Sequence, residues 1–220
     1  MRILALDTAT ELCSAALLVG GTLMSREVET GRGHAEQILP MVDALLTEAR
    51  ISLRNLDAIA FGRGPGGFTG VRLAASVAQG LAFGAQLPVI PVSDLRATAQ
   101  RALDLDRQLL RVLVCNDARM QEVYWACFER AADGLASLTG SEHVGPSSGV
   151  QLPAGWLAPV AGAGRGFRVY GELGRFVSHT FDDLLPRASE IARLAVDAAR
   201  VPPEQAIPVY LRDNVVRPPS

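Results

Sequence analysis

Short apolar segments separated by polar bends open the chain, and this pattern predicts β-strands. Gly20 and Gly21 lie between two extended segments, which is typical of a hairpin turn. Further on, apolar residues recur at helical spacing, and those between 71 and 84 are apolar on almost every side. The predicted elements are strands 3–6, 14–19 and 22–28, helix 34–50, strand 56–61, helix 71–84, strand 89–92 and helix 94–103.

A similar order recurs after residue 104. The second half predicts strands 111–116 and 122–129, a polar Gly/Ser/Pro-rich patch at 139–155, a strand 156–161 and a final helix 189–200. Each half opens with a strand that ends in an acidic residue, Asp7 or Asp117. We therefore predict an α/β protein of two ribonuclease-H-like lobes with mixed five-stranded sheets, residues 1–103 and 104–220. In this actin-like, sugar-kinase-like and heat-shock-protein-like arrangement, the two aspartates would face each other across a nucleotide cleft.

Composition narrows the function classes. The 220 residues are 49% apolar and 20% charged, with a net charge of −2, which is typical of an ordinary globular protein. The positive charges are all arginine, so chemistry that needs a lysine amine is excluded. Direct nucleic-acid binding is disfavoured, because Arg212 and Arg217 alone offer too few phosphate contacts. We expect a cytoplasmic protein with no signal peptide or membrane span, and three reduced core cysteines at Cys13, Cys115 and Cys127.

A glycine-rich segment, Gly62–Gly70, joins the strand 56–61 to the apolar helix 71–84. Such a segment can bind an anion through free backbone N–H groups at a helix N-terminus. It can also let two chain segments pack closely, because glycine lacks a side chain. The phosphate-binding lysine of a P-loop is absent, and the sequence favours packing or a partner surface over phosphate binding.

Four motifs together resemble the TsaB (YeaZ) family. They are Asp7–Thr10 with Cys13–Ser14, Gly64–Arg72, Asp117–Tyr124 and Pro208–Arg212. The resemblance implies a bacterial subunit of the machinery that places threonylcarbamoyl on the adenosine next to the tRNA anticodon. It implies a catalytically silent relative of the transferase subunit, TsaD, with an ATPase, TsaE, joining the pair. It also implies a homodimer in isolation, tRNA contact only through the complex, and ATP with Mg²⁺ only at the level of the complex.

The residues themselves favour a catalytically inactive protein with no metal site. Asp94 and Thr98 occupy the positions where TsaD-like sequences carry two metal-binding histidines. At the second acidic bend, the long side chains of Arg119 and Met120 fill space that phosphates would need. A vestigial nucleotide cleft is predicted at Asp7, Thr8, Thr10, Asp117, Gly162 and Gly164. The alternative is an autonomous ATP hydrolase or phosphotransferase of actin-like fold that uses Asp7 and Asp117.

The first-half helices carry more apolar surface than one sheet can cover. The resemblance implies that these helices form the interface with the transferase subunit and with a second copy of the chain. The predicted interface and its support are Ile38, Met41, Val42, Leu45, Gly66, Phe68, Thr69, Val71, Ala74, Ala75 and Ala78. A large charged residue at position 75 or 78 is then expected to abolish association while the monomer stays folded.

Overall fold

The computed structural model describes residues 1–156 and 159–212. It contains two five-stranded sheets. The first sheet comprises β1 (Arg2–Asp7), β2 (Leu12–Val19), β3 (Thr22–Glu29), β4 (Ala58–Gly62) and β5 (Val89–Val92). The second comprises β6 (Arg111–Asp117), β7 (Glu122–Arg130), β8 (Ala136–Pro146), β9 (Ala161–Ala163) and β10 (His179–Phe181). The helices are α1 (His34–Ala49), α2 (Phe68–Ala85), α3 (Asp94–Leu105), α4 (Gly166–Val169) and α5 (Ala188–Leu194).

The two sheets have the same topology. Their strand orders are β3-β2-β1-β4-β5 and, read from the equivalent edge, β8-β7-β6-β9-β10. In each sheet the opening strand pairs antiparallel with the next strand and parallel with the fourth. This repetition confirms the predicted duplicated, two-lobed ribonuclease-H-like fold.

Helices α1 and α2 cover one face of the first sheet. Ile38 and Leu45 of α1 share a core with Ala74 and Ala78 of α2 and with Phe61 of β4. The buried positions of α2 near this sheet are mostly alanine, so the helix axis can lie close to the strands. The sequence pattern predicted both helices, and α2 begins three residues earlier than expected, at Phe68.

Helices α3 and α5 are exchanged between the lobes. Helix α5, from the second half of the chain, packs on the other face of the first sheet, where Ile191 meets Ile90. The Ala188 amide donates to the hydroxyl of Ser14 on β2 at 2.9 Å. Helix α3, from the first half, packs Leu103 against Phe128 of the second sheet. The assignment of 104–220 to one separate lobe was therefore wrong, because its last helix belongs to the core of the first.

Other element boundaries also differ from prediction. The patch 139–155 was expected to lack a strand, yet β8 occupies its first part and β10 adds a short edge strand. Helix α5 ends at Leu194 and does not reach 200. The strand expected at 156–161 lies at Ala161–Ala163, and residues 157 and 158 of that prediction fall outside the described residues. No described helix is long and apolar enough to cross a membrane.

Candidate interlobe site and outer helix face

A cleft of about 730 Å³ lies between the two lobes. The β1–β2 bend and the first turns of α1 and α2 line it from the first lobe. The β6–β7 bend lines it from the second lobe, and the segment Val209–Arg212 crosses its mouth. The predicted residues that reach the cleft are Thr8, Thr10, Gly66, Phe68, Thr69, Val71 and Asp117.

The glycine-rich segment packs against the β1–β2 bend. A Cβ atom on Gly66 would lie 2.5 Å from the Ala9 carbonyl oxygen, and one on Gly70 would lie 2.0 Å from the Thr8 carbonyl oxygen. The Gly67 amide donates to the Ala9 carbonyl at 2.7 Å, and the Thr8 hydroxyl donates to the Gly70 carbonyl at 2.7 Å. Close packing therefore explains why Gly66 and Gly70 lack side chains.

Asp7 does not line the cleft. It is fully buried beside Asp94, and a Cβ atom on Gly62 would lie within 2.6 Å of an oxygen of each carboxyl group. The Ala9 amide donates to Asp7 Oδ1 at 2.8 Å, and the Gly64 amide donates to Asp94 Oδ2 at 2.5 Å. The expectation that Asp7 faces Asp117 was wrong, because β1 ends next to the start of α3 and the two carboxyl groups meet there.

Burial keeps a proton on this pair of carboxyl groups near neutral pH. It raises the pKa of Asp7 to about 7. Burial, and after it the charge of Asp7, raises the pKa of Asp94 well above its ordinary value. Two carboxylates this close cannot both ionise cheaply, so they hold a proton between them. A pair that shares a proton in this way links the first strand to α3 and does not supply a free carboxylate to the cleft.

Asp117 is held within its own lobe. The Arg119 amide and the Tyr170 hydroxyl both donate to Asp117 Oδ1, at 2.9 and 3.2 Å. The Arg119 guanidinium lies 3.2 Å from the other oxygen. The bend itself places Arg119, Met120 and Gln121 at φ of 61°, 54° and 62°, a left-handed turn that non-glycine residues rarely form. Asp117 is therefore paired with a cation of its own lobe.

Gly162 and Gly164 do not reach the cleft. A Cβ atom on Gly162 would lie 2.6 Å from the ring of Phe167, so this glycine makes room for an aromatic side chain of the second core. Gly164 has a φ of 102° and lies against Cys115 and Asn116 of β6. Their predicted place in a nucleotide cleft was wrong, because packing within the second lobe accounts for both.

The positions aligned with metal-binding histidines do not form a site. The Thr98 hydroxyl donates to the Asp94 carbonyl at 2.9 Å, so it satisfies its own helix. Among residues 1–156 and 159–212, no group of three or more His, Cys, Asp or Glu side chains could share a metal ion. All three cysteines are buried and unpaired. Burial raises the pKa of the Cys13 thiol to about 11 and that of Cys127 to about 12, which disfavours thiolate chemistry.

Most of the predicted interface residues lie inside the first lobe. The side chains with at most 4% exposure are Ile38, Val42, Leu45, Val71, Ala74, Ala75 and Ala78. Met41 and Gly66 are partly buried, Thr69 is exposed, and Phe68 is 57% exposed. The buried side chains face their own sheet, so within the predicted set they are the support for a surface and not its contact residues. The interface itself stays a prediction.

The outer face of α2 carries residues that sequence reasoning missed. Arg72, Ser76, Gly80 and Gly84 follow Phe68 at intervals of four, and all are exposed. Phe83 is 77% exposed beside them. On α1, Leu39 is 49% exposed. The four-residue spacing was the available signal, but a helix that is apolar all round does not reveal which side meets its sheet.

An aromatic and cationic cluster caps the start of this face. The guanidinium carbon of Arg72 lies 3.2 Å from the ring centroid of Phe68 and 5.2 Å from that of Tyr210. The Val209 amide donates to the Arg63 carbonyl at 2.8 Å, while Arg212 pairs with Glu122 of the second lobe. The segment therefore ties both lobes together next to α2. Arg217 lies outside the described residues.

Two repeated lobes around a cleft define an actin-like α/β protein. The family model described as "TsaD: tRNA N6-adenosine threonylcarbamoyltransferase" matches residues 28–165. The chain is 42% identical to "tRNA threonylcarbamoyladenosine biosynthesis protein TsaB" of Escherichia coli K12, over 98% of this chain and 96% of that protein. A TsaB of Haemophilus influenzae is 52% identical over 57% of this chain and 53% of its own. The structure of YeaZ from Pseudomonas aeruginosa superposes with a TM-score of 0.90 and 46% identity, covering 96% of this chain and 99% of that one.

The chain therefore belongs to the TsaB (YeaZ) family. This confirms the resemblance drawn from the four sequence motifs.

Proposed function

We propose that this protein acts in tRNA threonylcarbamoyladenosine biosynthesis as a non-catalytic subunit that pairs with and activates a TsaD-type transferase. The E. coli relative is named for that pathway, which supports the process. The main support for the subunit role is the outer face of α2. This face is an exposed strip, whereas the rest of the helix is buried against the protein's own core. Reaction chemistry is assigned to the partner, and ATP with Mg²⁺ enters only with the complex. Reduced cysteines and a tRNA pathway suit the cytoplasm.

The shape of this strip suits another helix. Apart from the nearby backbone of α2 itself and the adjacent residues, no described atom lies within 4 Å of where a Cβ would stand on Gly80 or Gly84, so a partner backbone can approach closely there. Phe83 and Phe68 flank the small residues with large exposed rings, and Arg72 adds a cation. Aromatic and arginine side chains around a close approach are what strong contact sites contain. We assign this strip and the exposed Leu39 of α1 to the partner interface.

One surface for two partners implies competition. A second copy of the chain can use the same strip when the transferase is absent, so homodimer and heterodimer exclude each other. The TsaE-type ATPase then joins the pair elsewhere, and tRNA contacts the assembly as a whole. The buried Asp7 and the ion-paired Asp117 support the non-catalytic role.

A charge on the strip tests the interface. Phe83→Glu places a carboxylate in the proposed contact, so we expect loss of the complex with the transferase subunit in size-exclusion chromatography with mass measurement. Leu110→Glu is the matched control, because Leu110 is also apolar and 65% exposed but lies just before β6. We expect this control to keep the complex. An intact complex in Phe83→Glu would contradict the assignment.

The autonomous-enzyme alternative needs its own measurement. The isolated chain should show no ATP turnover with Mg²⁺, whereas the reconstituted complex should modify tRNA. Turnover by the isolated chain that disappears in Asp117→Ala would favour the ATP hydrolase or phosphotransferase instead.

A further inference from the structure

The segment Val209–Arg212, which we call the strap, crosses the mouth of the interlobe cleft. Its first residue is bonded to the first lobe, because the Val209 amide donates to the Arg63 carbonyl at 2.8 Å. A Cβ on Gly64 would lie 3.2 Å from the Val209 carbonyl oxygen, so the strap lies directly on the glycine-rich segment. Backbone contacts therefore hold the first end of the strap.

The last residue of the strap is held by the second lobe. The Arg212 guanidinium donates to the Ala118 carbonyl at 3.1 Å and pairs with the carboxylate of Glu122. The Arg212 side chain is 20% exposed, so water screens these contacts less than it screens an exposed pair. A second pair across the mouth, Arg119 with Glu11 at 3.6 Å, stabilises little because the Arg119 side chain is 78% exposed. One side chain thus anchors the strap to the second lobe.

The β6–β7 turn that Arg212 contacts has a disfavoured backbone. Arg119, Met120 and Gln121 all have positive φ, a conformation in which the Cβ crowds the following carbonyl oxygen. Besides the residues on either side of the turn, Arg212 reaches Met120 within it, whose sulfur lies 3.5 Å from Nη1. Strain of this kind persists only where neighbouring contacts impose it, so the turn should relax when the contacts of Arg212 are lost.

The middle of the strap packs on the start of α2. The ring centroid of Tyr210 lies 6.5 Å from that of Phe68, and the Arg72 guanidinium carbon lies 5.2 Å from the Tyr210 centroid. Tyr210 is 50% exposed and Phe68 is 57% exposed, so a molecule that covers one ring also covers the other. Within three residues, the chain therefore passes from the strip on α2 to the strained turn of the second lobe.

We propose that the strap is a clasp that closes the mouth of the cleft and couples the strip on α2 to the β6–β7 turn. When Arg212 releases the second lobe, the turn relaxes and the mouth opens. A partner docked on the strip buries Tyr210 in place and so favours the closed clasp. Such coupling is reciprocal, and the closed clasp favours docking in turn. The clasp itself does not depend on the proposed function, whereas its coupling to a partner rests on it.

Hydrogen exchange in the isolated chain tests the clasp. The Glu122 amide, which donates to the Arg119 carbonyl at 3.0 Å, reports opening of the turn. Arg212→Ala removes the second-lobe anchor, and we expect this amide to exchange at least about tenfold faster. Tyr210→Ala should accelerate the same exchange about threefold, although the ring of Tyr210 packs on α2 and not on the turn. A merely local role for either side chain would not move this amide in both variants.

Two controls separate the clasp from a general loss of stability. Arg26→Ala removes another cation from an ion pair, with Glu48 of the first lobe, and should leave the exchange at Glu122 unchanged. The Ala131 amide, at the opposite end of β7, should keep its rate in every variant. Unchanged exchange at Glu122 in Arg212→Ala, or equal acceleration at Ala131, would overturn the clasp. Unchanged exchange in Tyr210→Ala would overturn its coupling to the strip.

The complex with the transferase subunit tests whether docking closes the clasp. At saturating partner, we expect the Glu122 amide of the unaltered chain to exchange at least about threefold more slowly than in the isolated chain, and that of Arg212→Ala to show no such slowing. Equal slowing in both chains, or slowing in neither, would overturn the coupling. The proposed interface fails by a different result, a complex that survives Phe83→Glu, which leaves the exchange of the isolated chain unaffected.

Discussion

At the scale of single residues, the most consequential contact is the one between Asp7 and Asp94. Both lie in segments that the sequence marks clearly, the end of the first strand and the start of α3. Their meeting depends on β1 and β5 lying on either side of β4 in the sheet. The sequence pattern predicts the strands but not which segments become neighbours in the fold. For this reason Asp7 was predicted to line the cleft. The glycine at 62 was the local signal, since it leaves the space that both carboxyl groups fill.

The pair makes stability fall as the pH rises. The folded-state pKa of Asp7 is about 7, against an ordinary value of 3.8, so between these values the folded chain binds more protons than the unfolded one. Its contribution is complete below about pH 4 and declines by about 1.4 kcal/mol per pH unit per proton up to pH 7. The raised pKa of Asp94 extends the decline in stability to higher pH, and the charge of Glu142 contributes to that raised pKa. The charge of Asp7 in turn raises the pKa of the Cys13 thiol.

Asp94→Asn should flatten this dependence. An amide at 94 can accept from the Gly64 amide and donate to Asp7, as the protonated acid does. We expect the variant to exceed the unaltered chain in free energy of unfolding at pH 8, by about 1 to 3 kcal/mol, and not at pH 5. Urea unfolding at both pH values measures this. Asp43→Asn, exposed on α1, should change neither value, and parallel pH profiles for Asp94→Asn and the unaltered chain would contradict the shared proton.

At the scale of elements, the two sides of α2 differ in burial and in role. Ala78 faces the core with no exposed surface, while Ser76, two residues earlier, faces outward. Ala78→Leu should lower the free energy of unfolding by about 1 to 3 kcal/mol, because the close-packed alanine layer has no room for three further carbons. Because Ala78 is fully buried, we expect a large charged residue at this position to destabilise the monomer as well, in place of the earlier expectation that it would leave the monomer folded.

Ser76→Leu is the matched change on the other side. We expect its free energy of unfolding to stay within about 0.5 kcal/mol of the unaltered chain. Thermal or urea unfolding of the two variants separates the faces. Equal destabilisation by both would mean that α2 is covered on its outer side as well.

Periodicity predicted the elements that are long and one-sidedly buried, such as α1 and β7. It missed β8 because most of that strand is exposed, and a register shift where β7 pairs with it, together with Gly140 at a φ of 85°, interrupts the alternation. It overextended α5 because the alanines of 195–199 favour a helix in isolation. In the structure, the chain leaves α5 so that Val201 can pair with Val89 at the sheet edge. Tertiary pairing decided both cases.

At the scale of the whole molecule, the lobes are not independent bodies. Each sheet is completed by a helix from the other half of the chain, and α3 and α5 also contact each other. Arg165 of the second lobe adds an ion pair with Glu29 of the first at 2.7 Å, but exposed pairs of this kind stabilise little. The helix exchange is the larger link, because it couples two apolar cores through buried surface.

This coupling predicts that both lobes unfold together. The two tryptophans, Trp125 and Trp156, both pack in the second lobe, so their fluorescence reports that lobe alone. Ile191→Ala removes a fully buried side chain from the core of the first lobe and should cost about 2 to 4 kcal/mol. If the lobes unfold as one unit, the urea midpoint from tryptophan fluorescence falls together with the midpoint from far-ultraviolet circular dichroism. Leu173→Ala, within the second core, should move both midpoints in the same way. The contradicting result is a fluorescence midpoint that stays fixed in Ile191→Ala while the dichroism midpoint falls. It would show that the first lobe unfolds by itself, so that the exchanged helices do not join the two halves into one cooperative unit.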